Sequence, residues 1–233
     1  MMRSPLHKQP SKTAHLHALA YLALAVALLT AAIPLREALA GARTPIRDQS
    51  ELALFPSGQW LRELSLGYPQ LLADLAWLEA IQYYGKHRQT DRRYELSPHL
   101  FFTLTDADPQ FENAYLFAAL VMSEGGYLEQ AEELLQRGVD RNPGSWKLRF
   151  ELGFFQYVAL KDYRSAAGNF YNAAHLEGAA PYAHRFAAAA YEKAGDPETA
   201  KVLWRLLAET SDNEEIRRMA SERLADLEPG EAS

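Results

Sequence analysis

The sequence predicts an all-α protein: an α-solenoid of helix-turn-helix repeats, set behind an N-terminal transmembrane helix and closed by a C-terminal capping helix. Three observations carry that expectation. Ala131, Ala166 and Ala200 recur at steps of 35 and 34 residues, and a fixed period of that size marks stacked helical hairpins. Ala18 to Leu35 carries no charge and is mostly Ala and Leu. Ile216, Met219, Ala220, Leu224 and Leu227 give the last helical segment an apolar side, with Arg217, Arg218, Glu222 and Arg223 on the other, as a cap requires.

Residues 1–14 form a basic head with Arg3, Lys8 and Lys12 and no acid. The uncharged run within 15–35 would rise about 27 Å as a helix, close to a bilayer core. A cleavable signal peptide is the competing reading, because Ala38-Leu39-Ala40 before Gly41 resembles a cleavage site. The length of the run, and Arg36 and Glu37 behind it, favour an uncleaved signal anchor. Either way the basic head stays in the cytoplasm and the rest is exported. The expected location is the bacterial inner membrane, single-pass, with the helical domain in the periplasm or at the cell exterior.

Residues 36–58 read as a linker, since Gly41, Pro45, Pro56 and Gly58 interrupt helical periodicity. A helical lead-in occupies 59–109. A short helix around Trp60 to Leu66 stops at Gly67 and Pro69, and a second runs through Leu71, Leu75, Leu78 and Ile81 to Tyr84, ending at Gly85. Trp60 and Trp77 read as core residues, with membrane-interface contact as the alternative. Lys86, Arg88, Arg92 and Arg93 against Asp91 predict a basic loop from Lys86 to Arg93. Ser97-Pro98 predicts an N-cap with proline in the first turn of a helix through Leu100, Phe101 and Leu104. Pro109 precedes Pro143 by 34 residues, so the lead-in has the spacing of a degenerate first repeat.

Residues 110–212 hold three repeats. In the first, Ala131, Leu134, Leu135, Gly138 and Val139 make one apolar helical stripe. Ala166, Phe170, Ala173 and Ala174 repeat it, and Ala200, Leu203, Trp204 and Leu207 repeat it again after the turn Gly195-Asp196-Pro197-Glu198. Residues 213–228 form the capping helix, opened by Asn213-Glu214-Glu215, and 229–233 a tail.

The preceding helix of each repeat carries a matching set. The first copy has Tyr115, Ala118, Ala119 and Met122, with Pro143 closing the unit. The second has Leu152-Gly153, one extra residue in the inter-helix turn, and Gly178 in place of the proline. The third has His184, Ala187, Ala188 and Tyr191, with Asp212 at the proline place. Large residues on helix A and small ones where helix B crosses it resemble the tetratricopeptide repeat. The run from Leu72 to Gly85 is also similar to segments that precede repeats in bacterial envelope proteins. The resemblance implies a protein or peptide partner. It further implies that helix A residues two, five, nine and twelve places into each unit line the binding side. Carried over, these are Asn113, Leu116 and Leu120, then Lys147, Phe150, Phe154 and Tyr157, then Tyr182, Arg185, Ala189 and Glu192, with Phe186 adjacent.

Composition narrows the function classes. The net charge is −6, and because Arg3, Lys8, Lys12 and Arg36 face Glu37 alone in residues 1–40, the remainder carries −9. So acidic a domain is a poor match for nucleic acid. The chain has no cysteine, which removes disulfides, thiolate metal sites and cysteine nucleophiles. His7, His15, His17, His87, His99, His175 and His184 include no pair at i, i+4, so no metal site is expected. Glu132-Glu133 and Glu214-Glu215 fall near helix starts, where the dipole accounts for them. No nucleophile elbow or phosphate loop is present, so neither catalytic residues nor a cofactor are expected. The expected function is a membrane-tethered binding scaffold that recruits or positions partners in envelope assembly or export. A spacer subunit of a membrane complex and an accessory subunit of an envelope enzyme are the alternatives.

Overall fold

The computed structural model describes Tyr21, Thr30 and residues 69–228. Apart from Tyr21 and Thr30, both helical, the expected anchor lies outside the described residues, as do the linker 36–58, the first lead-in helix with Trp60, and the tail 229–233. Among the described residues no helix is long and apolar enough to cross a membrane. The chain divides into two compact units, Met1–Glu51 and Leu52–Ser233, and residues 69–228 lie within the second.

Among the described residues there are nine α-helices and no strand. They are α1 (Pro69–Gln89), α2 (Ser97–Ala107), α3 (Glu112–Gly125), α4 (Leu128–Arg141), α5 (Trp146–Phe155), α6 (Tyr163–Ala174), α7 (Tyr182–Lys193), α8 (Pro197–Thr210) and α9 (Glu214–Leu227). Each packs on its neighbours in sequence, and α2 also meets α4 while α3 meets α5. The fold is therefore all-α, built from successive antiparallel hairpins with short connections.

The stripes read from the sequence are the buried faces. In α4 these are Ala131, Leu134, Leu135, Gly138 and Val139, in α6 Ala166, Ala167, Phe170, Ala173 and Ala174, and in α8 Ala200, Leu203, Trp204 and Leu207. Small residues set the helix separation. A Cβ on Gly138 would lie 2.9 Å from the ring of Tyr115, so only glycine lets α4 cross α3 there. Tyr115 is fully buried and its hydroxyl donates to the Pro109 carbonyl at 3.2 Å. One hairpin later a Cβ on Gly153 would meet the Ala166 carbonyl at 3.2 Å, bringing α5 and α6 equally close.

Helix starts obey capping chemistry. Ser145, Asp162, Asp196 and Asn213 each accept a backbone N–H of the first turn they precede. Asn213 accepts two, from Glu215 at 2.9 Å and Ile216 at 3.2 Å.

The extra residue of the second hairpin has a definite form. From Ala119 to Ala131 and from Ala188 to Ala200 the chain advances 12 residues, whereas from Gly153 to Ala166 it advances 13. The end of α5 widens into a π-helical turn, Gln156–Leu160, which takes up one residue more than an α turn without shifting α6. The turn ends on Lys161 at φ 59°, the place held by Gly126 at φ 81° and Gly195 at φ 77° in the neighbouring hairpins. Gln156, buried at 6% exposure, holds the widened turn by donating to Glu132 and accepting from Asn169.

Two polar ties bind the N-terminal helices. Glu124 of α3 accepts from Tyr84 at 3.1 Å and from Tyr94 at 3.2 Å. Asp106 of α2 accepts from Arg137 at 2.7 Å and Arg141 at 3.0 Å, both on α4, and Arg141 also donates to the Thr105 carbonyl at 3.0 Å.

Several expectations are corrected. Helix α1 runs past Gly85 to Gln89, so Lys86 and Arg88 belong to its last turn, where the dipole favours cations, and only Arg92 and Arg93 lie in the connection. Ser97 is the first residue of α2 rather than its cap, and its hydroxyl donates to the Tyr94 carbonyl at 2.7 Å. Pro98 is in the first turn, as expected. The expected helix does run through Leu71, Leu75, Leu78 and Ile81, and it turns these residues outward while burying Ala73, Ala76, Ala80 and Tyr84. The alanine stripe permits a closer approach than leucines would. Trp77 is a packing residue, 5.2 Å from the rings of both Phe111 and Phe117.

Candidate binding surface

The helix A residues of the second and third hairpins form one aromatic set. Phe150 of α5 lies 5.2 Å from Tyr182 and 5.1 Å from Phe186, both on α7, and Phe154 lies 6.3 Å from Phe186. Beneath them Phe170 of α6 is fully buried, 4.9 Å from Phe150 and 5.3 Å from Phe186. Phe150 and Phe186 are half-buried and act first as packing residues, while Phe154 and Tyr182 expose their rings. Trp146 extends the set from the start of α5, 6.4 Å from Phe150 and 6.2 Å from Tyr182.

The first hairpin contributes differently. Leu120 and Asn113 on α3 are exposed, and Leu116 packs against the N-terminal core. Among the described residues none of the three lines the cavity described below. Lys147 is exposed near the start of α5.

A cavity of about 240 Å³ opens beside this set, lined by Tyr157, Arg185, Phe186, Ala189, Trp204, Met219 and Arg223. With Phe186 adjacent, Tyr157, Arg185 and Ala189 are among the positions the repeat register predicts. Trp204, Met219 and Arg223 are not, and the sequence places Arg223 on the polar side of the last helix. Its spacing holds a clue, since 223 is four beyond Met219 and three beyond Ala220, the intervals that share a helix face. The structure therefore pairs Arg185 with Arg223 in one cavity, and Lys147 is not part of the lining.

The electrostatics of the two arginines differ. Arg223 lies 3.7 Å from Glu192, whose other carboxylate oxygen accepts from the Trp204 indole at 3.4 Å. Arg185 rests over the Phe186 ring at 5.6 Å and has no carboxylate partner among the described residues. Burial, followed by the nearby Tyr163 and Glu192, raises the Tyr157 hydroxyl above its ordinary value, so it remains a neutral donor. The arrangement suits an apolar group seated among Tyr157, Trp204 and Met219, with an anion beside Arg185.

His184 is half-buried 5.4 Å from the ring of His175, and burial followed by that neighbour lowers its pKa. Among the described residues no group of three His, Asp or Glu side chains could hold a metal ion. No family model matches this chain, and no curated protein matches it.

Proposed function

We propose that the chain is a non-enzymatic protein-interaction scaffold, a tetratricopeptide-like α-solenoid held at the bacterial inner membrane with its repeats in the periplasm. Its task is to recruit or position partners in envelope assembly or export. The observation that carries this reading is the cavity in which Arg185, without a carboxylate partner among the described residues, stands beside Tyr157, Trp204 and Met219. Its ligand is a peptide segment presenting an apolar side chain next to a carboxylate, recognised by burial and a charge-assisted hydrogen bond. Exposed Phe154 and Tyr182 extend the contact along α5 and α7.

One observation favours a spacer role instead. Phe150 and Phe186 commit much of their surface to Phe170, which leaves less of the aromatic set for a partner. Capture from membranes by the full chain, compared with residues 41–233 and with Arg185→Glu, separates the two. A scaffold loses its partner with Arg185→Glu, whereas a spacer loses it only with the N-terminal segment.

A further inference from the structure

The end of α6 and the start of α7 bring together two histidines from different helices. His175 follows the last residue of α6, and His184 is the third residue of α7. Gly178, at φ 71°, turns the chain between them, and α6 packs against α7. The two imidazole rings stand 5.4 Å apart, centre to centre, and are inclined at 62°.

Hydrogen bonding fixes where the lone pairs lie. The Nδ1 of His175 is 2.7 Å from the Tyr171 carbonyl oxygen. A carbonyl only accepts, so Nδ1 carries the proton, and the neutral ring keeps its lone pair on Nε2. One ring nitrogen held by a main-chain carbonyl, with the other free, is the arrangement that metal-ligating histidines use. The Tyr171 ring, 4.3 Å away, backs the imidazole. His184 is half-buried yet makes no hydrogen bond among the described residues. Burial, followed by the His175 ring, lowers its pKa, so near neutral pH it too is an uncharged ring with a lone pair to give.

We propose that His175 and His184 together chelate one divalent transition-metal ion of the zinc class. Two imidazoles on one tetrahedral ion, each nitrogen about 2.0 Å from it, hold their ring centres roughly 5 Å apart. The observed 5.4 Å is close to that separation. Imidazole donors select zinc, copper or nickel over magnesium and calcium, which take oxygen. Among the described residues no third His, Asp or Glu joins the pair, so water fills the remaining positions. The ion then ties the end of the second hairpin to the start of the third. A search for i, i+4 pairs looks along one helix and passes over a pair that two helices share.

The test uses the full chain with His7→Ala, His15→Ala and His17→Ala, which clear its N-terminal segment of imidazoles. Zinc chloride titrated into this protein in a calorimeter should bind at one equivalent and raise Tm, and magnesium chloride should do neither. Adding His175→Ala or, separately, His184→Ala should weaken zinc binding at least about tenfold and remove the rise in Tm. Because His175 is exposed, its variant tests the site even where loss of His184 disturbs the packing of α6 on α7. Zinc bound as tightly after His175→Ala overturns the proposal. So does magnesium bound as well as zinc, or no zinc bound at all.

Discussion

Gln156 of the second hairpin donates to Glu132 of the first at 2.9 Å, and its own carbonyl oxygen accepts from Asn169 at 2.8 Å. One buried amide thus joins two hairpins and steadies the π turn that absorbs the extra residue. Gln156→Leu leaves the amide of Asn169 without its acceptor and should cost about 1 to 3 kcal/mol. Glu132→Arg should also lower Tm, because this carboxylate is tied to Gln156 rather than serving only the helix dipole. Glu133→Arg on the exposed side should change little. Thermal denaturation of the three variants checks the order.

Lys161 holds a left-handed backbone where the neighbouring hairpins use Gly126 and Gly195. A side chain there costs about 1 kcal/mol or more. Lys161→Gly should therefore raise Tm by a few degrees, whereas Gly126→Ala and Gly195→Ala should lower it. Denaturant titrations with unchanged slope would show a change in stability without a change in the surface exposed on unfolding.

Glu151 is half-buried on α5, and burial raises its carboxyl above the ordinary 4.5. The unfolded chain therefore releases this proton at lower pH than the folded one. The penalty on the folded state is full above the raised pKa and fades as pH falls through it toward 4.5. Glu151→Gln should be more stable than the parent at pH 7, and the difference should close on acidification. A constant difference across that range would assign the gain to packing instead.

Arg185 lines the cavity and Lys147 does not, so in the proposed function Arg185 is the cation that receives an anionic ligand. Arg185→Glu should abolish partner capture, with a loss of about 2 kcal/mol or more in binding, at little change in Tm. Lys147→Glu should weaken capture less. Trp204→Ala is a poor probe, because Trp204 is buried in the core of α8 and its loss would unfold the site. Unchanged capture by a folded Arg185→Glu would remove the cavity as the site.

Helix B is legible in the sequence because its buried stripes combine small residues with a fixed period, so that Ala131, Ala166 and Ala200 announce one another. The extra residue can be counted from the spacing, but its form cannot. A π turn depends on where Gln156 finds partners, and Glu132 and Asn169 are 24 and 13 residues away. The run of α1 is legible, but its buried side is not marked by its most hydrophobic residues. Hydrophobicity ranks Leu71 and Leu75 above Ala73 and Ala76, while close helix packing favours the smaller side chain. In the cavity the helix A residues come from register. Arg223 does not, because its class suggests solvent, and although it is exposed the packing of α9 on α8 brings it to the cavity wall.

Asp106 bears on how the molecule carries load. Both of its arginines come from α4, so α2 is fastened to a helix two places along as well as to its neighbour α3. Unravelling from Pro69 must break the Arg137 and Arg141 contacts together with the packing, rather than one helix at a time. An attachment acting on the N-terminal side would thus meet the two ion pairs to α4 as well as the packing of α2 on α3.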